Sequence, residues 1–156
     1  MDTVSKSTRS RNMRRIGPKD TWIELLVRRR LRRDHFGYRK NLRLAVRFEG
    51  KTIRPEADVY LSRYQAVVMI NGCYWHHHGC HLAKKPLSQM KPFWRKKLGE
   101  NVVRDQRNIN VFNSIDLKVI SLWECSVRDK SDREVDYVVR QLEDWIRFGV
   151  GNASIP

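Results

Sequence analysis

Residues 72–81 read Gly-Cys-Tyr-Trp-His-His-His-Gly-Cys-His, a stretch crowded with thiols and imidazoles. Structural zinc takes a tetrahedron of thiolates and imidazoles, and such short Cys/His clusters are its usual mark. Cys73, Cys80 and one of His76, His77, His78 and His81 can supply three ligands from one tight loop. Cys125, the remaining cysteine, follows an apolar run ending at Trp123-Glu124 and is a candidate fourth that would tie two ends of the fold together. A second chemistry belongs to the carboxylates, because phosphodiester hydrolysis uses a cation held by oxygen ligands and a base or metal-bound water. Asp58 lies inside an apolar run, with Glu56 on the same strand face. Asp105 falls on a helical stripe marked by Leu98, Val102, Ile109 and Phe112, where a carboxylate needs a partner or a cation. Glu24 has capping-box spacing from Thr21, which by itself reads as structural. His76 is a candidate general base, since imidazole exchanges protons near neutral pH. Tyr74-Trp75, and Phe93-Trp94 between Lys91 and Arg95-Lys96-Lys97, set large rings among cations, a pattern suited to wedging between DNA bases while gripping phosphates. For Phe93 itself, core packing is the expectation.

These groups need elements to hold them. Residues 1–18 read as a flexible basic arm that includes Arg14 and Arg15. A helix is expected from about Asp20 or Thr21, with Ile23, Leu26, Val27 and Leu31 inward and Arg28, Arg29, Arg30, Arg32 and Arg33 on an exposed basic face. Residues 38–48 suggest one extended segment. Residues 57–61 and 64–70 read as a hairpin turning at Ser62 and Arg63, the second strand apolar enough to be covered on both faces. A long helix over 92–113, a buried strand over 117–123 and a helix opened by the Ser131/Glu134 capping box follow. Val135, Val138, Val139, Leu142, Trp145 and Ile146 form the inward face of that last helix. This order predicts an α/β fold with a mixed central sheet flanked by helices. It also predicts one domain over 19–150 and a short tail at 151–156.

The chain has 156 residues, 32 Lys and Arg against 17 Asp and Glu, and a formal net charge of +15. Such an excess calls for an anionic partner, and a phosphate backbone rewards each cation by releasing counterions. A membrane is disfavoured, since no apolar run approaches the roughly 20 residues needed to span one. Three cysteines and no apolar leader point to a reducing cytoplasm rather than a disulfide framework.

Taken together, Ser-Arg-Asn-Met-Arg at 10–14, Asp-Thr-Trp-Ile-Glu at 20–24, Asn-Gly-Cys-Tyr-Trp-His at 71–76, Asn-Val-Val-Arg-Asp at 101–105 and Trp-Glu-Cys at 123–125 resemble the very-short-patch-repair endonucleases. The resemblance runs in order over residues 8–145. It implies a restriction-endonuclease-like core and a magnesium-dependent nick on the 5′ side of the T in a T:G mismatch, the lesion left when 5-methylcytosine deaminates. It further implies a metal-binding Asp58, His76 near the scissile phosphate, and Glu24 and Asp105 in support. A structural zinc on Cys73, His78, Cys80 and Cys125, wedging rings at Tyr74, Trp75 and Trp94, and an arm across the minor groove complete the set. The expected partner is double-stranded DNA carrying a mismatch, with mismatch-repair proteins as candidates beyond it. The expected setting is a monomer associated with a prokaryotic nucleoid. This sequence departs from the family pattern in three places. Glu56 and Ala57 separate Pro55 from Asp58, Asn71 stands where His or Asp is usual, and Ile70 can offer a metal only its backbone carbonyl. A restriction-type nuclease of the same fold that cuts matched duplex, and a zinc-stabilised DNA-binding module without catalysis, are the competing readings.

Overall fold

The computed structural model describes residues 20–83 and 85–156, so the basic arm with Arg14 and Arg15 lies outside the described residues. Helix α1 (Trp22–Arg33) begins as its sequence requires: the Thr21 hydroxyl accepts from the Glu24 N–H at 3.4 Å, and the Glu24 carboxylate accepts from the Asp20 N–H at 3.1 Å. Ile23, Val27 and Leu31 are buried, but the expected basic face is only partly exposed. Arg28 is buried, and Arg30 is drawn into ion pairs with Asp132 at 2.9 Å and Asp136 at 2.7 Å. Arg29, Arg32 and Arg33 keep the solvated role.

The single extended segment expected over 38–48 is two strands, β1 (Arg39–Arg43) and β2 (Val46–Phe48). The chain reverses at Glu49-Gly50, both residues with left-handed φ (47° and 74°), so β2 pairs with β3 (Lys51–Ile53) in a separate two-stranded ribbon. The main sheet runs in the order β1, β4 (Glu56–Leu61), β5 (Ala66–Asn71), β6 (Lys118–Trp123), β7 (Ala153–Ile155). β1, β4 and β5 are antiparallel neighbours, whereas β5, β6 and β7 are parallel. The mixed sheet flanked by helices is therefore as the sequence predicts, with one addition: the segment expected as a tail contributes the edge strand β7. The hairpin between β4 and β5 turns through a 3-10 turn, Ser62–Tyr64, and closes at Gln65 with φ 45°.

Two apolar layers cover the sheet. On one face Val59, Leu61, Val68, Ile70, Ile120 and Leu122 meet the inner faces of α1 and of α3 (Asp132–Phe148). On the other, Ala57, Val67 and Val119 meet Phe112 from α2 (Pro92–Asn113), so β5 is covered on both sides as its apolar run requires. The predicted stripe of α2 holds at Leu98 and Phe112 but fails at Val102, which is 41% exposed because only part of the helix rests on the sheet.

Helix α3 opens with the predicted capping box, the Ser131 N–H reaching Glu134 at 2.8 Å. It closes on Lys118, whose ammonium donates to the carbonyls of Trp145, Ile146 and Gly149 at 3.2, 2.9 and 2.7 Å. A side chain at Gly149 would overlap the Trp145 indole and force it to shift. Glu143, also on α3, is buried beside Asp34 at the end of α1, with Arg147 3.8 Å away. Burial, reinforced by Asp34, raises its carboxyl to about 7. A raised carboxyl contributes stability only while it stays protonated, so that contribution is lost as pH rises through about 7. Glu143→Gln removes the titration. After allowance for solvent screening, its Tm should exceed that of the parent by about 2–4 °C at pH 8.5 and match it at pH 4, as thermal melts at both pH values would read.

Candidate active site and metal centre

The loop after β5 and the end of β6 assemble the first centre. The ligand atoms of Cys73, His78, Cys80 and Cys125 all lie within 4.8 Å of one another. His78 Nδ1 stands 3.7 Å from the Cys73 sulfur and 3.5 Å from the Cys125 sulfur. Thiolate and imidazole ligands around one tetrahedral zinc, at about 2.3 and 2.0 Å from the ion, stand about 3.5–3.8 Å apart. The set therefore fits the ion, and among the described residues it is the one group of three or more such side chains within reach of a common cation. Of the four imidazoles left open by spacing, His78 is the one that joins the cysteines. Trp123 stacks flat on that ring, 4.2 Å between centroids and 9° between planes. The Glu124 carboxylate accepts the Cys73 N–H at 3.1 Å and is held in turn by Arg128 Nε at 2.6 Å. Burial raises the Cys73 and Cys125 thiols and lowers the His78 imidazolium, favouring the neutral form of these three, whereas the Cys80 thiol, despite its burial, is lowered by backbone N–H groups and by the neighbouring thiols.

The second centre forms where β4 stops behaving as an ordinary strand. Its paired residues with β5 end at Val59↔Val68. Beyond that point Asp58 Oδ2 accepts the Ile70 N–H at 2.7 Å, a carboxylate standing where a strand carbonyl would. Inward alternation is interrupted there as well: Val59 and Leu61 pack toward α1 and α3, but Ala57 packs toward α2. Burial pushes the Asp58 carboxyl up to about 6; the neighbouring negative charge of Glu24 adds to the rise, while the Ile70 N–H, Arg28 and His76 oppose it. Glu24 is buried within the capping box and pairs with Arg28 at 2.9 Å. Glu56, the alternative carboxylate on β4, is committed to Arg43 at 2.6 Å. Asn71 is buried at the last position of β5.

The loop bridges the two centres. His76, between Cys73 and His78 in sequence, makes a short Nδ1 contact to the Asp105 carboxylate. Asp105 therefore finds a histidine as its principal partner, with Arg104 at 3.6 Å in addition. One turn earlier on α2, Asn101 donates to the Trp75 carbonyl at 2.9 Å, so α2 grips the loop at two consecutive residues. Tyr74, Trp75 and Trp94 form one aromatic cluster, with centroids 5.3 Å apart for Tyr74 and Trp75 and 6.0 Å for Trp75 and Trp94. The Lys97 ammonium lies over both indoles at 5.6 and 5.5 Å. Phe93, expected in the core, is instead 67% exposed, packed edge-on to Trp94 at the rim of this cluster. The residues that sequence reading missed are Arg28 and the supporting trio Trp123, Glu124 and Arg128. A signal for the first existed in the Glu24/Arg28 spacing of four along a helix.

The DNA mismatch endonuclease Vsr family matches residues 1–82 of the chain. The DNA mismatch endonuclease Vsr of Escherichia coli (strain K12) is 35% identical over 145 residues, 93% of this chain and 87% of the relative. The type II nicking enzyme V.NmeAIP of Neisseria meningitidis is 37% identical over 145 residues, covering 92% of this chain and 97% of the relative. The type II nicking enzyme V.XorIIP of Xanthomonas oryzae is 29% identical over 128 residues, 82% and 88% of the two chains.

Proposed function

Because the chain belongs to the DNA mismatch endonuclease Vsr family, and so is a nicking DNA endonuclease with a restriction-endonuclease-like core, we propose that its reaction is magnesium-dependent hydrolysis on the 5′ side of the T in a T:G mismatch. The observation that carries this reading is Asp58: a buried carboxylate at a break in the sheet, one oxygen on the Ile70 N–H and the imidazole of His76 near enough to act on its charge. An extended residue sends its N–H and C=O toward the same neighbouring strand, so the Ile70 carbonyl emerges on the Asp58 side and is the backbone ligand of the proposal. Asp58 and that carbonyl would hold a magnesium ion, which would supply charge neutralisation at the scissile phosphate and lower the pKa of the attacking water. Magnesium is commonly bound by one or two carboxylates with the rest of its shell from water and phosphate, consistent with a site that is not a closed cage.

His76 exchanges the proton of the reaction through Nε2, with Nδ1 fixed on Asp105. Glu24 and Asn71 border the same strand ends and support the metal-bearing carboxylate. Zinc on Cys73, His78, Cys80 and Cys125 fixes the loop that carries His76. Tyr74, Trp75 and Trp94 wedge into the duplex beside the mismatch, where unstacking is cheapest, while Lys97 and the arm with Arg14 and Arg15 hold phosphates. One endonuclease domain, acting as a monomer, suffices for a single-strand cut. Mismatch-repair proteins are proposed as further partners, and a prokaryotic nucleoid as the setting. No helix among the described residues is long and apolar enough to cross a membrane.

The test is cleavage of one duplex library in T:G, T:A and C:G versions with magnesium and without any added divalent cation. Nicking confined to T:G and to magnesium is the expected result. Cleavage of matched duplex alone would replace it with the restriction-type reading, and no cleavage at all would leave a DNA-binding module.

A further inference from the structure

We propose that Arg28 is a positioning residue of the nicking reaction, a single guanidinium that sets Asp58 and Glu24 relative to one another. The side chain is 4% exposed, so it cannot grip DNA, yet it faces four different groups. Its NH1 donates to Asp20 at 2.7 Å; its NH2 meets Glu24 at 2.9 Å, the Asn41 side-chain oxygen at 2.7 Å and the Asp58 backbone carbonyl at 2.9 Å. The last two contacts fall at one irregularity of the sheet. The pairs Lys40↔Val59 and Leu42↔Ala57 set Asn41 opposite Asp58, and at that position Asn41 has φ 50°, a left-handed conformation that costs a strand residue energy. The guanidinium thus satisfies the Asp58 carbonyl just where β4 departs from regular alternation and the Asp58 carboxylate is turned to the Ile70 N–H.

Stability does not account for this arrangement. A buried ion pair is roughly neutral against an apolar replacement, and Arg28 Nε has no partner among the described residues. A rigid planar fork does explain it, because only such a group reaches a helix carboxylate, a strand carbonyl and a neighbouring strand's amide at once. Displacement of a metal-bearing carboxylate by about 1 Å is enough to cost about a hundredfold in rate.

This inference rests on the reading of Asp58 as the magnesium-binding carboxylate, and the experiment separates the two. Arg28→Lys keeps the charge for Glu24 and Asp20 but loses the fork. The expected result is a folded protein whose KM for T:G duplex matches the parent, whose kcat is about 100-fold lower, and whose half-saturating magnesium concentration is raised. Asn41→Gly keeps the left-handed backbone without strain and removes one anchor of the guanidinium; a smaller drop in kcat and the same rise in magnesium requirement are expected. A purely structural role would move Tm in both variants and leave kcat and the magnesium profile alone. If the parent nicks with magnesium and both folded variants keep its kcat and its magnesium profile, the Arg28 inference is overturned and the proposed function stands. Parent-like kinetics in Asn41→Gly alone overturn it if Arg28→Lys does not fold. A parent with no magnesium-dependent nicking overturns both.

Discussion

Asp58→Asn should abolish nicking, by at least about a thousandfold in kcat, while making the metal-free protein more stable. Loss of charge at the proposed magnesium-binding position removes most of the transition-state charge stabilisation, on the order of 4 kcal/mol or more. The amide still accepts the Ile70 N–H, so the local fold survives. The stability effect has a definite sign. The Asp58 carboxyl is raised from 3.8 to about 6, so folding favours its neutral form; that contribution is complete below about pH 4 and gone once pH has risen past about 6. Above that pH the parent carries a penalty of up to about 3 kcal/mol that the amide escapes. Melts in buffer without added magnesium, which leaves the Cys/His cluster its ion, should therefore show the variant ahead at pH 8 and level with the parent at pH 4, with magnesium narrowing the gap for the parent only. His76→Ala, assayed alongside, should also lose activity. Nicking at the parental rate in both variants would sink the assignment of the site.

Cys125→Ser should cost the protein most of its fold margin. Structural zinc in small domains contributes about 10–16 kcal/mol of apparent binding energy, comparable to or larger than the 5–15 kcal/mol by which domains of this size are stable. This chain also has a core independent of the cluster, so complete unfolding is not required. Loss of even about 5 kcal/mol lowers Tm by about 10–20 °C. The measurement pairs thermal melts with metal analysis after dialysis: about one zinc per chain in the parent, none in the variant. A variant with parental Tm and a full complement of zinc would remove Cys125 from the cluster.

The parts of this molecule that were readable in advance are those whose signal is local. The Ser131/Glu134 and Thr21/Glu24 boxes, the apolar face of α3 and the run of β5 each follow from spacing over a few residues, and the Cys/His loop announces itself by composition. What escaped reading depends on partners distant in sequence. Arg28 sits among five arginines of α1, and nothing local says that this one meets Asn41 and Asp58. The division of residues 38–48 into two strands turns on a reversal at Glu49-Gly50, and β7 becomes a strand only because β6 offers it an edge. Phe93 differs from expectation because the surface beneath the start of α2 is the loop, which Trp94 rather than Phe93 faces. The partner that Asp105 needs is likewise distant in sequence: His76 fills that place, with Arg104 beside it.

The grip of Asn101 and Asp105 on the loop after β5 has a mechanical consequence, if His76 is the proton-transfer group proposed above. The rings proposed to enter the duplex are split between that loop and the start of α2, and the same helix carries the carboxylate under His76. A wedge forced aside by well-stacked bases would push along a stiff rod toward the proton-transfer group, whereas one that slips easily into a weak step would leave that group undisturbed. Fidelity and turnover would then share a single lever arm rather than reside in separate parts of the protein.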